Sequence, residues 1–150
     1  MTEHTNGIPV MINLASLASY DGIADDPIRL ITTGTLFTRG SLAELKYHET
    51  QEDENTGELI ESDIQLLLKK DRVTMNRTGA YSNTMLFERN RRYETTFHTP
   101  FGDLPMAVTP SDVLCTLQGD NGTVHLKYEL SMQGAYASTN ELHLEYRAKH

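Results

Sequence analysis

A chain of 150 residues that is 38% hydrophobic and 23% charged has the length and balance of one ordinary soluble domain. Its 13 Lys and Arg against 21 Asp and Glu give a formal net charge of -8, which argues against a general nucleic-acid binder. One cysteine, Cys115, excludes an internal disulfide, and a chain this long buries enough surface to fold without one. No apolar stretch approaches the roughly 20 residues that span a bilayer, and Met1 to Gly7 lacks the basic and apolar regions of a secretory leader. A cytoplasmic protein that engages neither membranes nor nucleic acid is the expectation.

Apolar residues recur with period two, and turn signals interrupt the chain at short intervals, the pattern of an antiparallel all-β protein. In chain order, strands are expected near Pro9 to Tyr20, Ile28 to Thr38, Leu42 to Glu49, Leu59 to Leu68 and Arg72 to Arg77. The breaks between them are Asp21-Gly22 through Pro27, Arg39-Gly40, Asp53 through Gly57 and Thr78-Gly79. Ile60 to Lys70 also carries helical spacing at Ile64, Leu67 and Leu68, but its Leu66-Leu67-Leu68 run and its neighbours favour a strand.

Tyr81 to Phe97 reads as a hairpin with apolar odd positions on both arms. That parity requires a three-residue loop, Arg89-Asn90-Arg91, with Asn90 or Arg91 near the left-handed region and Glu88 facing Arg92. Thr123 to Met132 and Glu141 to Arg147 alternate cleanly, each with one buried and one wet face. Asn121-Gly122 is a strong two-residue hairpin signal; as the loop, it would pair Leu117 with Leu126, Cys115 with Tyr128 and Val113 with Leu130. A five-residue loop at Gly134 to Ser138 would pair Leu130 with Leu142, Tyr128 with Leu144 and Leu126 with Tyr146. It would also set Glu129 beside His143 and Lys127 beside Glu145. Some eight to ten strands joined by hairpins avoid exposed edges by closing, so the fold class expected is one antiparallel meandering β-barrel over residues 1–150.

Several short segments carry a family resemblance: Thr32-Thr33-Gly34, Lys70-Asp71-Arg72-Val73 to Arg77-Thr78-Gly79, Met85-Leu86-Phe87-Glu88 and, above all, Thr99-Pro100-Phe101-Gly102-Asp103-Leu104-Pro105-Met106. With Tyr128-Glu129-Leu130 and Asn140-Glu141-Leu142, they make the chain similar to the YwiB-like family of uncharacterised bacterial proteins. The resemblance implies a calycin, or lipocalin-like, β-barrel and implies no activity. The Gly-x-Trp of true lipocalins is absent, for the chain has no Trp.

Catalytic and cofactor motifs are wanting. No His-x-His or His-Glu-x-x-His exists among the six histidines, and the expected register separates His125 from His143, so no metal site is expected. Cys115 shares the apolar parity of Val113 and Leu117, where a cysteine is an inert hydrophobe. A hydrolase would need two of Glu44, Glu49 and Glu94 to converge in a cleft; the expectation is a non-enzymatic protein without a cofactor.

Barrels of about eight strands hold one small ligand. The expected lining for a small apolar or amphipathic molecule is Met85, Phe87, Tyr93, Phe97, Leu126, Tyr128 and Leu144, with Phe101 in the bend Thr99 to Met106, read as a structural corner or the lip of a cavity. Charge is polarised along the chain: residues 44–63 hold eight acids and one base, whereas residues 69–92 hold seven bases and two acids. On a hairpin tip, Arg89, Arg91 and Arg92 would meet a small anion or, in a homodimer, the acidic loop of a second copy. A filled barrel working through this charged surface as an interaction or oligomerisation module is the alternative function.

Overall fold

The computed structural model describes residues 3–53 and 55–149; Glu54 of the acidic run and His150 lie outside the described residues. The described residues form eleven strands: β1 (Ile8–Tyr20), β2 (Ile23–Ala24), β3 (Ile28–Arg39), β4 (Leu42–Glu52), β5 (Leu59–Lys69), β6 (Arg72–Gly79), β7 (Asn83–Glu88), β8 (Tyr93–Thr99), β9 (Gly102–Gln118), β10 (Asn121–Met132) and β11 (Ala135–Ala148). The described residues contain no helix, and Ile60 to Lys70 resolves into β5. Strands pair antiparallel in the order β7-β6-β5-β4-β3-β1-β11-β10-β9-β8, with the two-residue β2 attached to β1. It is a single antiparallel meandering barrel whose first and last long strands, β1 and β11, are hydrogen-bonded to each other.

The seam therefore falls mid-chain, between β7 and β8. Ser82 and His98 exchange two backbone hydrogen bonds of 3.0 and 2.9 Å across it. That bridge has the register expected for the Tyr81 to Phe97 hairpin, and Asn90 adopts the left-handed φ of 60°. The next pairs of that register, Thr84 with Thr96 and Leu86 with Glu94, are not formed. Two further backbone bonds stitch the seam lower down: Asn90 N–H to Pro110 O at 2.7 Å and Cys115 N–H to Lys70 O at 3.0 Å.

Both C-terminal hairpins depart from the expected register, each by four residues. The β9–β10 loop is Gly119-Asp120, with Gly119 at φ 67°, so Leu117 lies opposite Gly122 and Leu126 opposite Val113. Gly122 serves packing instead of the turn: it faces Tyr146 on β11. A Cβ there would lie 2.6 Å from the Tyr146 hydroxyl and 2.7 Å from the Thr116 carbonyl. The β10–β11 loop is Gln133-Gly134, both at positive φ (52° and 81°), the signature of a type I′ turn. Leu130 consequently meets Ser138, Leu126 meets Leu142 and Glu129 meets Thr139. An even slip preserves which face is buried, so parity alone could not detect it. His125 and His143, expected apart, are direct partners with ring centroids 6.3 Å apart.

Alternating side chains fill the waist. Val10, Ile12, Leu36, Leu45, Leu68, Val73, Phe87, Leu126 and Leu144 are completely or almost completely buried, each contributing roughly 1.5–3 kcal/mol by leaving water. Phe87 meets Tyr128 edge to face at 4.9 Å. Because the strands alternate, the turns fall into two sets. One end, called upper here, carries the β1–β3, β4–β5, β6–β7, β8–β9 and β10–β11 connections; the lower end carries the others and both ends of the chain.

Candidate functional site

Inside the upper end is a cavity of about 420 Å³. Its apolar walls include Tyr81, Met85, Phe97, Met106, Leu130 and Met132, with Tyr81 and Phe97 stacked at 5.8 Å between ring centroids, and Gln51, Ser62 and Asn83 add polar groups. Arg77 also reaches it, and the Arg77 Nη1–H donates to Glu49 Oε1 at 3.2 Å. Their side chains are only 22% and 14% exposed, so this is an ion pair held largely inside the barrel. Glu49 continues the inward row of Leu45 and Tyr47 on β4, and Arg77 that of Val73 and Met75 on β6. Buried charges need a partner, and β4 and β6, the two strands flanking β5, supply one to each other.

The pair shapes its surroundings. Burial pushes the Tyr47 hydroxyl well above the ordinary tyrosine range, with the Glu49 carboxylate adding to the effect. Burial lifts Tyr128 to about 12, against the opposing charge of Arg77. A guanidinium has five N–H donors, and the hydrogen bond to Glu49 engages Nη1 alone. An apolar guest with a polar head would thus find donors from Arg77.

Of the eight residues expected in a lining, Met85 and Phe97 border this cavity. Phe87, Leu126 and Leu144 belong to the filled waist, and Tyr128 packs on Phe87. Tyr93 is half-buried on β8 outside the cavity wall. Phe101 does not line it: it stands 91% exposed at the β8–β9 turn. That turn is built locally, with Thr99 Oγ1 accepting from Phe101 N–H at 3.1 Å and donating to Gly102 O at 2.7 Å. The corner itself is Thr99 to Gly102; from Gly102 the Thr99 to Met106 segment is already β9, and its last residue, Met106, lines the cavity.

The carboxylates needed for a glycosidase-like pair do not converge. Glu44 and Glu49 point to opposite faces of β4, and the Glu94 side chain is 80% exposed beside Arg92, 3.6 Å away. At the β7–β8 tip Arg89, Arg91 and Arg92 are all exposed, and Arg91 reaches Glu88 at 3.3 Å. Such exposed pairs contribute little to stability. Glu44 joins an outward polar row instead: Gln65 donates to Glu44, Asn76 to Gln65 at 2.9 Å, and Thr84 to Asn76 at 2.7 Å. On the same outer surface the acids Asp63 and Glu61 hold His48, at 3.0 and 3.4 Å.

Sequence reading missed Arg77, counting it with the basic run of residues 69–92. Its parity with Val73 and Met75 was the available signal.

Comparison with known proteins agrees with this architecture. The family described as Domain of unknown function (DUF1934) matches residues 12–144. The chain belongs to that family. A search of the curated proteins finds no match. Among solved structures, the chain is similar to the ywiB protein from Bacillus subtilis, with a TM-score of 0.80 and 17% identity over 96% of this chain and 94% of that one. At that identity the likeness speaks for a shared fold in this DUF1934 member. Among the described residues no helix is long and apolar enough to cross a membrane.

Proposed function

We propose that this DUF1934 barrel is a non-enzymatic binder of a small neutral amphipathic molecule, held in the upper cavity with its polar head against Arg77. The observation that carries the reading is the inward guanidinium of Arg77, held by Glu49 behind it, in the lining of a largely apolar pocket. A hydroxyl head accepts from the guanidinium without adding charge. A volume of about 420 Å³ suits a ligand of drug-like size.

Charge around the mouth supports a neutral guest. Asp21, Asp25 and Asp26 lie on the β1–β3 connection, Glu52, Asp53 and Glu58 flank or occupy the β4–β5 connection, and Asp103 follows the β8–β9 turn, against the exposed Arg29 at the start of β3. This acidic collar repels anions. Exposed apolar side chains, among them Ile23, Ile28, Leu59 and Phe101, share the same end and suit entry of an apolar body.

Calorimetric titration with 1-octanol tests the reading. Saturable binding of one molecule per chain is expected, and Met85→Trp, which fills the cavity, should abolish it. An absence of saturable binding, or equal binding to the filled variant, would overturn the proposal.

A further inference from the structure

A second cavity, of about 620 Å³, opens at the lower end, opposite in chemistry to the first. Leu42, Ala43, Leu114 and Leu117 form its apolar walls, while Lys69 and Lys70 stand at the β5–β6 turn on its border. Two acids also border it, Asp71 and Glu3, and the Glu3 carboxylate already accepts from Gly40 N–H at 3.0 Å. Beyond the lining, the lower end adds Arg39, Arg72, Arg89, Arg91, Arg92, Arg147 and Lys149, against Glu88, Glu94, Asp120 and Glu145. The field over this mouth therefore favours anions, whereas the field over the upper mouth disfavours them.

Tyr146 contributes to the wall and is 1% exposed, yet its hydroxyl has no hydrogen-bond partner among the described residues. A buried hydroxyl left unpaired is costly, and the ring sits there because Gly122 leaves it room. The waist gains nothing from the oxygen that phenylalanine would not supply. A ligand atom that accepts a hydrogen bond would satisfy it, and a neutral acceptor does so without burying a charge away from the lysines.

We infer that the lower cavity is a second binding site, for an elongated and mainly apolar anion whose charged end meets Lys69 and Lys70 and whose buried end presents a neutral acceptor to Tyr146. Oxo- and hydroxy-substituted aliphatic acids have this chemistry. The site is independent of the upper one, since among the described residues no side chain lines both cavities.

Calorimetry with 9-oxodecanoate and decanoate on the intact chain tests it. The oxo acid should bind roughly three- to tenfold more tightly than decanoate, the worth of one hydrogen bond. Tyr146→Phe should erase that preference without lowering the Tm of the free protein, a combination that a purely structural tyrosine would not produce. Lys69→Gln with Lys70→Gln should weaken both acids alike, and Met85→Trp at the other end should change neither. The inference is overturned if neither acid binds saturably, if the preference survives Tyr146→Phe, or if Met85→Trp abolishes binding.

Discussion

Arg77 occupies a place where a solitary charge would be costly, and Glu49 is what makes it tolerable. Removing one member of such a pair strands the other. Arg77→Met should therefore destabilise the fold by about 3 kcal/mol, measured by urea unfolding, whereas Arg77→Met combined with Glu49→Gln should recover much of the loss. Similar costs for the single and the double variant would show that the pair does not act as a unit.

Other buried groups predict an alkaline limit. Burial, followed by the Asp71 charge, lifts the Cys115 thiol to about 12, and burial lifts Tyr128 and Tyr146 to about 12 as well. In the unfolded chain these groups release protons near their ordinary values of 9.0 for the thiol and 10.0 for the phenols. Above pH 9 the unfolded state thus binds fewer protons than the native one, and stability falls as pH rises. Below those values the contribution is fully present. Tm should decline steadily from pH 9 to 12, and Cys115 should resist iodoacetamide at pH 8 until the protein unfolds. A Tm flat to pH 11 would contradict this. His48 acts in the same direction at lower pH: its hydrogen bond to Asp63, then that to Glu61, raises its pKa, so its stabilisation is lost as pH climbs through that raised value.

Among the strands, β7 and β8 are neighbours in sequence but not in hydrogen bonding. Even-numbered amides of both arms point into the seam, since Ser82 and His98 bond each other there. The amides of Thr84, Leu86, Glu94 and Thr96 should accordingly exchange with solvent faster than those of β10, which is paired on both sides. Equal protection would mean that the hairpin zips fully in solution. Strand positions were legible in the sequence because period-two alternation is a local property; the five N-terminal spans lie within the observed strands. Register at the C-terminal hairpins was not. Gly122 carries two possible meanings, a turn or space beneath a large ring, and only the position of Tyr146 decides between them. Gln133 gave no warning that it would take a positive φ.

At the scale of the whole barrel, the net charge of -8 conceals a polarity between the ends. Strand alternation sends Asp21, Asp25 and Asp26 to one end and Lys69, Lys70 and the Arg89 to Arg92 tip to the other, far apart in chain order or not. The candidate site was legible only in part for a related reason. Met85 and Phe97 could be placed inward by parity, but where the waist closes and where space remains depends on how side chains from ten strands meet. Phe87, Leu126 and Leu144 share the inward parity of Met85 and end in packed core. A neutral amphipath should occupy the upper end alone. Methyl-labelled methionine NMR with 1-octanol tests it directly, since Met85, Met106 and Met132 line that cavity while Met11 and Met75 do not. Octanol should shift the first three methyl signals and leave Met11 and Met75 in place; unmoved signals at all five, or shifts centred on Met75, would contradict the account.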